Sequence, residues 1–262
     1  STLSIAEKLA ALRALHPAAA PPGRIPPTAH ITLDMPAVAR SFAAACSGGA
    51  QDRHGWSDDL WAQVLKSEDV QRALEPLFLD ILNDQIRDVQ ELTSGRLSAI
   101  PKGTTAIRPI VVGTILLKNL ASFVVRSHTD AIATLLRPHQ LGVACPGGAE
   151  HIVRARLLQK PDEVAALVDF TNAFNCVART QMKLVLEGHP SLAQLRGLFN
   201  VAYAQPSNLH FGDDVILSQQ GCRQGDPLGA LLFCLAIHPI LVDVARKHPQ
   251  LLIKAYMDDV TI

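Results

Sequence analysis

Asp258 and Asp259 stand side by side in the stretch AYMDDVTI, with apolar residues on both sides. A third acid, Asp169, closes the apolar run EVAALVDF. Each falls at the tip of an expected strand, so pairing the two strands in one sheet gathers three carboxylates. Neighbouring carboxylates repel, and partial burial worsens the conflict. Without a shared cation, one of them would be driven to protonate. Mg²⁺ removes the conflict, because it takes oxygen ligands, usually one or two carboxylates plus substrate phosphates and water. Two such ions roughly 4 Å apart stabilise both the attacking and the leaving oxygen of an in-line phosphoryl transfer. Taken alone, an Asp pair also reads as an ordinary acidic hairpin turn.

The surrounding pattern supplies the elements that would position these acids. SIAEKLAALRAL has apolar residues Ile5, Leu9, Leu12 and Leu15 at helical spacing, with Ser4 and Glu7 as a capping box. The Pro-rich HPAAAPPGRIPP that follows is an extended linker, so this first helix is expected to be peripheral. From Met35 to about Leu92 the pattern is helical, with Val70, Leu74, Leu77, Phe78, Ile81 and Leu82 on one apolar face. RLSAIPKG and AIRPIVVG read as two strands around a Gly-Thr-Thr turn. One long helix is expected from Thr114 to about Leu136, then the loop LGVACPGGAE and a helix through Leu158. EVAALVDF reads as a buried strand. Helices follow over 177–187 and 192–203, then a hairpin turning at Gly212–Asp213. A Gly-rich turn then enters a helix with Asp226 as N-cap, Pro227 as first residue, and Leu228, Leu231, Leu232 and Leu235 as its buried stripe. LLIKAY is the last strand before the acid pair.

With 262 residues, 48% of them hydrophobic, the chain can bury a sizeable core in one or two domains. Formal net charge is zero, which argues against a generic polyanion binder. A local basic segment survives that test: Lys102, Arg108, Lys118, Arg126 and Arg137 face only Asp130 between 102 and 137. No apolar run is expected to reach membrane-spanning length, so no membrane partner is expected. Five well-separated cysteines, without a C-x-x-C, speak against a zinc site or a disulfide framework. An intracellular, reducing location is expected, with nucleus and cytoplasm both open. The chain starts with Ser and stops three residues after the acid pair, which reads as a piece of a longer reading frame.

Four motifs, in one order, resemble reverse transcriptases. AYMDDVTI is similar to their Y-x-D-D hairpin. VDFTNAFNCV resembles their first palm motif, close to D-F-S-N-A-F-N in retrotransposons without long terminal repeats. QGCRQGDPLGALLF resembles the next palm motif, and IPKGTTAIRPIVV a fingers segment ending in R-P-I. The resemblance covers roughly 92–262. It implies an α+β fold: right-hand polymerase fingers and palm, with an antiparallel palm sheet packed on helices. Residues 1–28 would be an N-terminal helix and linker, 29–90 a helical extension, 91–163 the fingers and 164–262 a palm without its thumb. By the resemblance, Asp169 and Asp258 are metal ligands with the Phe170 carbonyl, and Asp259 is the accompanying acid. Thr171, Asn172 and Ala173 would face the triphosphate, as would Lys102 and Arg108. Phe174 would exclude a 2′-hydroxyl, and Gln224 and Gly225 would meet the incoming nucleotide. Tyr256, Met257 and Lys118 would contact primer and template. The implied cofactors are two Mg²⁺ ions, or Mn²⁺. The implied partners are an RNA template, a DNA or RNA primer and deoxynucleoside triphosphates, with nothing bearing on oligomeric state.

The motifs also depart from the family. Ala178 stands before Arg179 where Asp is frequent, Met257 where retrotransposon enzymes carry Ala, and Ala230 where Pro is frequent. Two other readings stay open: an inactive or domesticated relic that binds RNA or protein, and an RNA-templated RNA polymerase. Tyr256 and Phe174 argue against the latter. Without a thumb, the chain alone is expected to show little processive synthesis.

Overall fold

Capping residues set where the helices begin. In the computed structural model, which describes residues 3–26, 31–45, 48–103, 106–158, 160 and 162–262, Ser4 accepts from the Glu7 amide and Glu7 returns to the Ser4 amide. That starts α1 (Ile5–Leu15). Asp34, Ser57 and Ser67 cap α2 (Met35–Ala44), α3 (Asp58–Val64) and α4 (Glu68–Leu82), each side chain accepting from one first-turn amide. The short α5 (Gln90–Thr93) leads into the hairpin of β1 (Gly95–Lys102) and β2 (Ala106–Gly113). Thr104 and Thr105 of the expected turn lie outside the described residues.

Next come α6 (Ile115–Ser127), α7 (Thr129–Leu136), α8 (Gly148–Leu157), β3 (Leu167–Val168), α9 (Ala173–Cys176), α10 (Arg179–Gly188) and α11 (Leu195–Tyr203). The hairpin of β4 (Ser207–Phe211) and β5 (Asp214–Ser218), the long α12 (Pro227–Lys247), and the hairpin of β6 (Lys254–Tyr256) and β7 (Asp259–Thr261) complete the order. The fold is α+β, as expected.

The single helix expected over 114–136 is two. At the break, Ser127 and Thr129 hydroxyls donate to the carbonyls of Phe123 and Arg126, and the His128 ring meets the Val124 carbonyl. Side chains that bond nearby carbonyls compete with the helical ladder, and three in a row end it.

Two sheets form. The first has order β2-β1-β4-β5, with β1 antiparallel to β2 and parallel to β4. It therefore joins a hairpin from the expected fingers to one from the expected palm. The second has order β3-β7-β6, antiparallel throughout.

The main core is helical. Leu228, Leu231, Leu232 and Leu235 of α12 are buried as expected, among Leu120 of α6, Met182 and Leu186 of α10 and Phe199 of α11. Close helix approach is built in at Gly197 of α11. A Cβ there would sit 1.7 Å from the Leu82 carbonyl oxygen of α4. A third cluster joins Leu241 of α12 to Ile253, Ala255 and Val260 beneath the second sheet.

Three expectations are corrected. The first helix is not peripheral: Leu12 is fully buried with Leu97, Ile107, Val111, Leu209 and Ile216 on the first sheet. The run EVAALVDF is not buried: Val164 and Leu167 are 92% and 73% exposed, and only Leu167–Val168 forms ladder strand. Finally, α12 is long and apolar enough to cross a membrane by length and composition. Here it packs largely inside the core.

Candidate active site

Strand register brings the acids together. Leu167 and Val168 of β3 pair with Thr261 and Val260 of β7. Continued by one residue, that register sets Asp169 across from Asp259. Directly opposed side chains in such a pair lie about 5 Å apart at Cβ. Asp258 occupies the β6–β7 turn with Met257. Its environment records the crowding. Burial raises the Asp258 pKa from its ordinary value, and Asp259 and Asp169 push it further. Its own backbone hydrogen bond and Lys102 pull the other way. Asp169 and Lys102 thus both lie within electrostatic reach of Asp258, although 89 and 156 residues separate them in sequence.

Carboxylate oxygens are the donor chemistry that Mg²⁺ takes, so the residues present suit that ion. Among the described residues, no three acidic, histidine or cysteine side chains are gathered closely enough to hold one ion together. An ion held there would draw the rest of its shell from other oxygen donors such as phosphates and water.

The turn after Asp169 is ordered by Asn172. Its backbone is left-handed, φ +52°. Its Oδ1 accepts from Asn175 Nδ2 at 3.0 Å, and its Nδ2 donates to the Leu15 carbonyl at 2.9 Å. The end of α1 is therefore tied to the loop expected to face a triphosphate. Asn is among the few non-glycine residues that tolerate this conformation. Thr171 is exposed and Ala173 buried at the start of α9.

Phe174 is half-buried and stacked on Phe233 of α12, with ring centroids 4.5 Å apart and planes 13° from parallel. Its carbonyl accepts from the Cys222 amide at 2.8 Å, while Gly221 donates to the Val177 carbonyl at 3.0 Å. Only glycine fits at 221, where φ is +66° and a Cβ would lie 2.2 Å from the Phe174 oxygen. The start of the turn carrying Gln224 and Gly225 is thus pressed directly onto the backbone of Phe174 and Asn175. On its other side, the Gln224 carbonyl accepts from the Val111 amide of β2 at 3.0 Å.

A buried aromatic–guanidinium stack anchors that turn, and the sequence reading missed it. The Tyr203 ring lies between Arg179 and Arg223, whose guanidinium carbons are 5.1 and 4.9 Å from its centroid. Tyr203 donates to Asp226 Oδ2 at 2.5 Å, and Arg223 bonds the Thr93 carbonyl and Asp226. Burial and the neighbouring Asp226 push the Tyr203 hydroxyl far above its ordinary pKa, so it stays a donor. Arg179 needs no acid at 178: it donates to Ser218 and to the carbonyls of Gly221, Tyr203 and Gln205. Burial lowers its pKa to about 10, which keeps it charged at neutral pH. The arginines stood in the sequence motifs, but the tyrosine between them had no local signal.

Lys102 and Arg108 are exposed, in the β1–β2 hairpin. Ile100 pairs with Arg108 and Lys102 with Ala106, so strand alternation puts both cations on one face. Lys118 departs from expectation. Its Nζ lies 3.0 Å from Asp58 Oδ2, and Asp58 is buried and also held by Asn119. A buried carboxylate needs that partner, so Lys118 is engaged within the helical extension. Tyr256 is at the surface and Met257 half-buried against the main core. A second missed residue is Gln140, fully buried with its side-chain amide on Met257.

Residues 100–262 match the family described as Reverse transcriptase (RNA-dependent DNA polymerase). The chain is also similar to the Retrotransposable element SLACS 132 kDa protein of Trypanosoma brucei gambiense. The two are 26% identical over 243 residues, which is 88% of this chain and 20% of that protein. The chain thus spans about a fifth of that relative's length.

Proposed function

The chain belongs to the reverse transcriptase family, and on that premise we propose that it carries the polymerising centre of a retrotransposon without long terminal repeats. In this reading a primer 3′-hydroxyl attacks the α-phosphate of a deoxynucleoside triphosphate on an RNA template. The new phosphodiester forms as the α–β bridging bond breaks, and pyrophosphate leaves. The D-F-T-N-A-F-N motif and the likeness to a retrotransposable element protein support this class.

The observation that carries the reading is the convergence on one sheet end of Asp169, Asp258 and Asp259, with Lys102 in electrostatic reach. Asp169, Asp258 and the Phe170 carbonyl would hold Mg²⁺, or Mn²⁺. Bound there, the ions neutralise charge on the reacting oxygens. The protein's own groups bind and orient. Lys102 supplies a point charge and Arg108 a two-pronged donor to the triphosphate. Amides of the turn from Thr171 to Ala173 face the same phosphates. The Phe174 ring, held flat by Phe233, lies under the incoming sugar and excludes a 2′-hydroxyl. Gln224 and Gly225 contact the nucleotide from the turn fixed by Tyr203.

Extension of a DNA primer on an RNA template, with deoxynucleotides and Mg²⁺, tests this directly. Asp258→Asn is expected to lower the rate about 10³-fold, roughly 4 kcal/mol of barrier. Equal rates for Asp258→Asn and the parent would sink the assignment. Efficient ribonucleotide use by the parent would instead favour an RNA-templated RNA polymerase. Processive synthesis is not expected of this chain alone, so failure of the parent to add even a single deoxynucleotide, with primer–template in excess, is the result that would favour the relic reading.

A further inference from the structure

The turn that carries Asp258 is strained at its first residue. Met257 has φ +55°, a left-handed conformation that a residue with a long side chain rarely adopts. Such outliers persist only where surrounding structure over-determines them. What over-determines this one lies 117 positions away in sequence. Gln140 is fully buried, and its Oε1 accepts from the Met257 amide at 2.8 Å. Its Nε2 donates to the Met257 carbonyl at 3.0 Å. One side-chain amide thus satisfies both backbone groups of the strained residue, as a neighbouring strand would.

The clamp is itself held. Gln140 Oε1 also accepts from the Gly142 amide at 2.9 Å. The main chain around it forms a parallel bridge to β6: Leu141 donates to the Ala255 carbonyl and Ala255 to the His139 carbonyl, each at 2.7 Å. Gly142 is required by proximity, since a Cβ there would sit 2.5 Å from the Met257 nitrogen. The segment 139–142 is therefore a rigid template pressed on the turn.

From this geometry we infer that Gln140 is a positioning residue for Asp258: its amide locks Met257 left-handed, and that backbone setting aims the adjacent carboxylate at the metal position. The chemistry is specific to glutamine. A glutamate keeps the acceptor, loses the donor, and adds a buried charge beside the acid cluster. An asparagine is one methylene too short. The inference deepens the polymerase reading, because it rests on Asp258 being a metal-binding carboxylate.

The test compares the parent chain with Gln140→Met, Gln140→Glu, Met257→Gly and the double variant Gln140→Met/Met257→Gly. Backbone chemical shifts report the φ of Met257. Calorimetric titration with Mn²⁺ reports the acid cluster without turnover. Gln140→Met is expected to release the left-handed turn, speed exchange of the Met257 amide, and weaken Mn²⁺ binding about 10- to 30-fold, the loss expected from two buried hydrogen bonds. Gln140→Glu should fall between. Glycine accepts this conformation freely, so the double variant should bind Mn²⁺ within about threefold of Met257→Gly alone. A residue that merely packs would lower the melting temperature without this rescue.

A left-handed Met257 in Gln140→Met overturns the clamp. A released turn with unchanged Mn²⁺ affinity overturns the positioning role. Should Gln140→Met not fold, the double variant against Met257→Gly decides, and a large difference between those two overturns the proposal. A parent chain that binds no Mn²⁺ would refute the metal reading of Asp258, and with it the positioning role. The chemical shifts would still report separately on the clamp.

Discussion

The Phe174 ring has a packing role against Phe233 and a proposed role toward the nucleotide, and the two can be measured apart. In the proposed polymerase reading, Phe174→Val opens space beneath the incoming sugar, and it also strips a stacked partner from Phe233. We expect ribonucleotide incorporation relative to deoxynucleotide to rise about 10- to 100-fold, the range a shape-based pocket commands. Stability should fall by about 1–3 kcal/mol from the lost ring and its stacking. Competition assays with both nucleotide types, set beside thermal unfolding, read the two effects apart. At Lys118 the expected effect is stability alone. Lys118→Met leaves the buried Asp58 carboxylate with Asn119 as its partner among the described residues, and should cost about 1–3 kcal/mol, discounted because the Lys118 side chain is a third exposed. Denaturant titration measures it, and an unchanged midpoint would refute the pairing. The position of Asp169 just past a strand end was legible because motif and apolar run coincide. Gln140 was not, since its meaning lies entirely in a turn more than a hundred residues downstream.

Elements were legible at most places where the chemistry is local, although the break at Ser127–Thr129 was not. The capping box at Ser4 and Glu7, the Asp226–Pro227 helix start and the Gly212–Asp213 turn each announce themselves within a few residues. The other misses are tertiary. The periodicity of α1 shows an apolar face but not the sheet that receives it. Leu12→Ala should cost about 2–4 kcal/mol by opening a cavity in that sheet's core. Hydrogen exchange should loosen in β1 and β2 before the helical core, and uniform loosening would contradict independent clusters. The burial of EVAALVDF was misread because an apolar run signals strand but not which faces are covered. Within α12, His238 is nearly buried. Burial first, then the nearby His139 and His189, hold its pKa below the ordinary value. The unfolded chain then takes up the proton first as pH falls. The stability this group contributes is present above about pH 6.5 and is lost on acidification below it. His238→Phe should flatten the unfolding midpoint over that window, and an unaltered acid slope would exclude the effect.

For the molecule as a whole, cooperativity has a chemical readout. Cys222 and Cys234 are buried, and burial pushes both thiols well above their usual pKa, Cys234 also through Asp258. Cys176 is exposed. A neutral maleimide at neutral pH should label Cys176 within the native state. It should reach Cys222 and Cys234 only through unfolding, at rates that follow denaturant alike. Labelling of Cys222 ahead of Cys234 would mean the Gly221 turn opens on its own. At this scale the α+β class and the meeting of the acids were readable, because four motifs fall in one order. The joining of the β4–β5 hairpin to β1 was not, since a parallel pairing between distant segments leaves no mark in either.

Gly197, set against the Leu82 carbonyl, carries a consequence at the level of genes. No missense change at that codon leaves room for the new side chain, so any such change damages helix packing whatever amino acid results. Among homologous copies of this reverse transcriptase domain, codon 197 therefore serves as a sentinel. Copies still under purifying selection should keep glycine there while neighbouring surface codons drift, and copies decaying neutrally should lose it at the background rate.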